Sequence, residues 1–140
     1  MTDLEKRVEE LNIRINIKPG GNTKPCEWDT PIDQVLGYRV ILRRVLSRNG
    51  NRRKEKRITT DFFTGLRVKE FGAADVLACL LSDAYSALES KSFENWCEVN
   101  TYDIRSRRSK RIHDKCWYIA DRLENFLGRK LMDELSRLEH

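Results

Sequence analysis

The sequence predicts an α+β fold: an antiparallel β-hairpin or three-stranded sheet followed by a helical C-terminal half. Two stretches, Gly37 to Ser47 and Lys56 to Phe63, are rich in strand-forming residues and flank Asn49-Gly50, a strong hairpin-turn signal. Residues 73–89 and 106–127 repeat apolar residues at helical spacing. With 140 residues, 39% apolar and 35% charged, the chain can bury one core without a metal or disulfide framework. The expected unit is a single domain over 1–137, with a hairpin half at about 12–65 and a helical half at about 72–137. Leu138-Glu139-His140 reads as the remnant of a vector-encoded tag.

In chain order, Thr2-Asp3-Leu4-Glu5 fits a capping box, in which Thr2 and Glu5 satisfy first-turn amides. Leu4, Val8 and Leu11 share one helical face, and Ile13, Ile15 and Ile17 then alternate as a short strand. Pro19 to Pro31 holds all three prolines and is the main loop; Trp28 within it is expected to pin the loop to the core. In the first hairpin strand Tyr38, Val40 and Leu42 face one way and Arg39, Ile41 and Arg43 the other. A lone hairpin is marginal, so it needs helices or a third strand, with Ile13 to Ile17 the candidate. Leu77, Leu80, Leu81, Ala84 and Leu88 give the helix from Ala73 to Glu89 its buried stripe, with Asp75 in its first turn. Ser92 caps a short segment from Phe93 to Cys97. Ile112, Cys116, Ile119, Leu123, Phe126 and Leu127 line the longest helix, which Gly128 ends. Leu131, Met132 and Leu135 suggest a final turn or two.

The charged fraction and the lack of a long apolar run exclude a transmembrane helix and an apolar signal core, so a soluble, cytosolic protein is expected. Cys26, Cys79, Cys97 and Cys116 are separated by 53, 18 and 19 residues, spacings that fit neither zinc nor redox pairs. With the last three residues set aside, His113 is the one histidine, and no metal or cofactor is expected. There is no phosphate-cradling glycine loop and no acidic cluster of a two-metal nuclease. Ser109 and His113, four residues apart on one helix face, are the nearest thing to a nucleophile and base, with Cys97 the other candidate; such a pair arises by chance, and no enzyme is expected.

Charge is the informative feature. The net charge is +5, yet the segment from Arg43 to Arg57 carries +7 through Arg43, Arg44, Arg48, Arg52, Arg53, Lys54, Lys56 and Arg57 against Glu55. Arg105, Arg107, Arg108, Lys110 and Arg111 add +5 with no acid among them. Such segregation builds a directional field. Arginine forks pair with phosphate oxygens, so these residues are the candidate partner- or nucleic-acid-binding set. Aromatics are not interleaved with them, which favours contact with a phosphate backbone or a protein surface over base reading. An acidic patch on a protein is the other partner they suit.

Three segments, Thr60-Asp61-Phe62-Phe63-Thr64-Gly65, Ala73-Ala74-Asp75-Val76-Leu77-Ala78-Cys79-Leu80-Leu81-Ser82-Asp83-Ala84 and Ser92-Phe93-Glu94-Asn95-Trp96-Cys97, together resemble a family of small bacteriophage and prophage proteins. Tyr102-Asp103, Ser106-Arg107 and Phe126-Leu127-Gly128 continue the resemblance, which spans about residues 38 to 128. Two departures stand out: Phe71-Gly72 replaces the Pro-Thr that opens the helix in that family, and Arg105 replaces an acid in the turn after Tyr102-Asp103. The resemblance implies a phage source and action in the cytoplasm of a bacterial host. The expectation is a non-enzymatic inhibitor of a bacterial defence complex, of anti-CRISPR type, gripping a nucleic-acid-handling effector by a basic face. The alternative is an accessory nucleic-acid-binding protein of phage replication or transcription.

Overall fold

A computed structural model describes residues 1–19, 36–49, 52–64 and 72–138. The order is α1 (Asp3–Glu10), β1 (Ile13–Pro19), β2 (Leu36–Asn49), β3 (Arg52–Thr64), α2 (Ala73–Leu88), α3 (Phe93–Asn100), α4 (Arg107–Leu127) and α5 (Arg129–Ser136). It is an α+β arrangement: one three-stranded antiparallel sheet, ordered β1-β2-β3, with four helices after it.

The capping box at Thr2 forms: the Glu5 amide donates to the Thr2 hydroxyl at 3.2 Å and the Thr2 amide to the Glu5 carboxylate at 3.4 Å. Asn12, at φ 55°, turns the chain from α1 into β1, a left-handed position that asparagine tolerates. β1 supplies the third strand, pairing Ile15 with Leu42 and Ile17 with Val40. Asn49 pairs with Arg52, so the connection is residues 50–51, one place later than the Asn49-Gly50 signal suggested, and it lies outside the described residues. A register shift between Val45 and Ser47 leaves Leu46 as an extra residue in β2, a bulge that bends and twists the strand. The Pro19–Pro31 loop beyond Pro19, Trp28 and Cys26 also lie outside the described residues.

The core sits between the sheet and the helices. Val40 and Leu42 are fully buried, with Ile13, Leu77, Leu80, Ile119, Leu123, Phe126, Met132 and Leu135 completing it. A smaller core joins Ala87 of α2, Trp96 and Cys97 of α3 and Cys116 of α4. α3 runs to Asn100, a turn past the Cys97 limit expected from sequence. Ser106 caps α4, its hydroxyl accepting from the Arg108 amide at 3.1 Å. Gly128 separates α4 from α5 at φ 81° and ψ 153°, a backbone region open almost only to glycine. α5 docks on α1 through Arg7, whose Nε donates to Glu134 Oε1 at 2.6 Å, and Leu138 packs on the core. Among the described residues no helix is long and apolar enough to cross a membrane.

Candidate functional site

Strand alternation decides which basic residues of the hairpin reach solvent together. Because Val40 and Leu42 point into the core, Arg39, Ile41 and Arg43 occupy the outer face of the sheet. The register sets Arg43 opposite Arg14 on one side and Arg57 on the other. Three exposed arginines therefore form one row across all three strands. Asn16, Ile41 and Thr59 form the next row, and beyond it Arg39 lies between Lys18 and Asp61 in the register. With strands about 4.8 Å apart, the arginine row spans about 10 Å.

Like charges directly opposite one another weaken a sheet, and packing of the core asks for none of them on this face. One carboxylate offsets the row: Arg43 Nε donates to Glu55 Oε1 at 2.6 Å, which fixes the fork and raises the guanidinium pKa. Among the described residues Arg14, Arg39 and Arg57 have no carboxylate partner. Their charge is free to act on something outside the molecule.

The other predicted residues of the hairpin divide. Arg44 and Lys56 pair with each other on the helix side of the sheet. Lys56 Nζ donates to the Asn125 carbonyl at 3.2 Å, so it satisfies the C-terminal end of α4, where carbonyls lack helical partners and the dipole favours a cation. Arg44 is half-buried, and its Nε is buried without a hydrogen bond. Lys54 is exposed beyond the bulge. Arg48 pairs with Arg53, and Arg52 with Asn49, along the backbone; their side chains lie outside the described residues.

The second cluster opens α4. Arg105, Arg107 and Arg111 are exposed, and among the described residues none has a carboxylate partner. Lys110 pairs with Asp114 at 3.2 Å and covers the Phe93 ring, its Nζ 5.2 Å from the centroid. Arg108 is half-buried. Lys56 marks the far end of the same helix, and Arg111 precedes Asn125 by 14 positions, about 21 Å along the axis. The structure thus places Lys56 of the first cluster and the start of the second at opposite ends of α4.

Aromatic rings adjoin the second cluster at Lys110. α3 begins at Ser92, whose hydroxyl accepts from the Asn95 amide at 3.0 Å. It ends at Thr101, held at φ 59°, which lets the Tyr102 amide reach back to the Cys97 carbonyl at 2.9 Å. That reversal lays Tyr102 on Trp96, with centroids 5.0 Å apart and planes 15° apart. Phe93 and Trp96 are also near-parallel, 6.2 Å apart at 16°. His113 meets Phe93 and Trp96, each at 5.0 Å, and its Nε2 accepts from the Trp117 indole N–H at 3.1 Å. Its Nδ1 is buried without a hydrogen bond. Burial, aided by Lys110, lowers the His113 pKa.

Trp117 takes the place that Ser109 would need on His113. No hydrogen bond joins Ser109 to His113, whose acceptor nitrogen is taken by Trp117. Burial pushes the Cys97 thiol up, and the Cys116 thiol up to about 11, the reverse of activation. Cys79, Cys97 and Cys116 are all free, and among the described residues no group of three His, Cys, Asp or Glu could hold a metal ion. A groove of about 670 Å³ runs between α2, α3 and α5, with Ser82, Tyr85, Ser86 and Asn95 over Leu81 and Leu135. Part of its polar lining is already engaged, since Trp96 Nε1 donates to the Ser86 hydroxyl at 2.8 Å.

Sequence reasoning missed Arg14 and Arg39. Both had a signal: Arg14 sits between Ile13 and Ile15, and Arg39 alternates with Val40. What sequence could not supply was the β1–β2 register that lines Arg14 up with Arg43. The chain matches no family model, no curated protein and no solved structure.

Proposed function

We propose that this chain is a non-enzymatic binding protein that docks on nucleic acid through the outer face of its sheet. The carrying observation is the row Arg14, Arg43 and Arg57, three like charges in register across three strands. The row weakens the sheet and gains nothing from the core, which supports a role in binding. Duplex DNA carries a charge about every 3.4 Å of helix axis on each strand, so a row about 10 Å wide lies on the scale of neighbouring phosphates. The face bears no ring to stack on a base in its two described rows, which supports backbone contact.

The resemblance to small phage proteins supports a setting for this chemistry. The chain acts in that setting as an inhibitor of a bacterial defence complex of CRISPR type, and the gripped polyanion is guide RNA or target DNA. The alternative setting, an accessory protein of phage replication or transcription, uses the same face. The two part on plain nucleic acid: the accessory protein binds it unaided, whereas the inhibitor binds it weakly and holds the assembled effector.

Titration of duplex DNA and RNA against salt tests the face. Replacing Arg14, Arg43 and Arg57 together with Ala should flatten the slope of log affinity on log salt by about 0.9 per arginine engaged. An unchanged slope in the folded triple variant would refute the proposal.

A further inference from the structure

The second cluster differs from the sheet in having rings beside its charges. Phe93, Trp96 and Tyr102 make a near-parallel series, with Trp96 between the other two. Phe93 is covered by the Lys110 ammonium, and Trp96 is only 1% exposed. Tyr102 ends the series and is 37% exposed. A ring held this way by a stacked neighbour is already oriented, so a further ring stacking on it costs little ordering. Exposed arginines without a carboxylate partner among the described residues follow close by in the chain, at Arg105 and Arg107, with Arg111 a turn further along α4. The Asp103 carboxylate accepts from the Arg105 amide at 2.9 Å, which fixes the turn that carries them.

The approach to Tyr102 is itself strained. Thr101 is β-branched and sits in the left-handed region, where such residues are rare outliers. Strain of this kind persists where the surroundings over-determine it, and it recurs at ligand clamps. Here it delivers the Tyr102 ring onto Trp96.

We propose that Tyr102 is a stacking platform for an unpaired base, with Arg105, Arg107 and Arg111 holding the flanking phosphates of a single strand. Stacking rings joined to a positive track are the means by which single strands are bound without reading sequence. Two exposed aliphatics lie in the same region, Val99 at 70% and Ile104 at 46%, and a protein partner would use them. The stacked ring and the exposed arginines favour the nucleic acid. The platform extends the nucleic-acid reading to a second surface, yet it stands or falls apart from the sheet.

The test compares a short oligothymidylate with an abasic oligomer of equal length and charge, by anisotropy and by quenching of tryptophan fluorescence. The wild-type protein should bind the oligothymidylate about tenfold or more tightly than the abasic strand. Tyr102→Ala should erase that difference and leave the salt slope unchanged, while Tyr102→Phe keeps it. Arg105→Ala with Arg107→Ala should lower the slope and keep the preference for bases. Because the abasic comparison uses the unaltered chain, it decides the matter even if Tyr102→Ala fails to fold. Equal binding of both oligomers, or none, would overturn the platform and leave Val99 and Ile104 as a protein contact. Single-strand binding that survives loss of Arg14, Arg43 and Arg57 would uphold the platform whatever becomes of the sheet.

Discussion

The two arginine-rich segments look alike in sequence and are put to different use in space. In the hairpin, side chains alternate, so one segment is divided between two faces. Arg43 and Arg57 go outward to meet Arg14, while Arg44 and Lys56 turn toward the helices and serve the end of α4. At the start of α4 the helical period spreads Arg107, Lys110 and Arg111 over the exposed side, and α3 sets Phe93, stacked with Trp96, under Lys110. A run of charge in a strand is therefore diluted by half on either face. The run at the helix start loses Arg108 to partial burial, keeps the rest exposed and gains what the neighbouring element presents. The difference teaches that local charge density, read alone, does not say which kind of contact a basic segment makes.

α2 and α4 contribute to both the larger and the smaller core, so the largest effect should strike the two regions together. Leu80, fully buried in α2, should cost about 2–5 kcal/mol when changed to Ala, and calorimetric melting would measure it. A negligible change in melting temperature would mean that the two surfaces do not share this support.

Asp83 separates the regions next, because it lies near Cys79, Cys116 and Tyr102, at the aromatic end. Burial raises its carboxyl from 3.8 to about 6. The folded state thus binds the proton more readily than the unfolded chain. The destabilising effect of the charge is fully present above pH 6 and fades as pH falls toward 4. Asp83→Asn should raise stability at neutral pH by about 2–3 kcal/mol, a gain that shrinks toward zero as pH falls below 4. Denaturant melts across that range would expose a flat difference, which would contradict this burial.

A smaller effect is expected at Thr101. Thr101→Gly relieves the positive φ and should stabilise the fold by about 1 kcal/mol. If the strain serves the platform, the same variant should loosen Tyr102 and weaken oligothymidylate binding while the sheet's duplex binding holds.

The smallest shift belongs to the sheet. Arg57→Thr removes one member of the row and introduces a good strand former. Stability should rise by a few tenths of a kcal/mol while the salt slope on duplex falls by about 0.9. Stability and binding moving in opposite directions would mark the row as functional; a loss of both would mark it as structural.

Much of the fold was legible because its signals are local. The outward and inward positions of β2 follow from alternation, and the limits of α2 and α4 from their stripes, Asp75 and Gly128. β1 was legible as the third strand because a lone hairpin needs support. The rest depended on longer reach. The bulge at Leu46 leaves no mark on hydrophobic period. The arginine row needs a register between strands some thirty positions apart, fixed by packing of Ile13, Ile15 and Ile17. The ring series needs Thr101 in a conformation that its residue type disfavours, so no propensity would have drawn Tyr102 back onto Trp96.

A sheet of three strands has two rims and one interior strand, and here β1 and β3 are the rims of the described sheet. A bare rim is a template onto which another chain can zip by backbone pairing. Arg14 on one rim, and Lys54, Lys56 and Arg57 on the other, set mutual repulsion against such self-association. Arg14 and Arg57, proposed to draw a polyanion, also charge both rims, so neutralising them should ease self-association as well as weaken duplex binding.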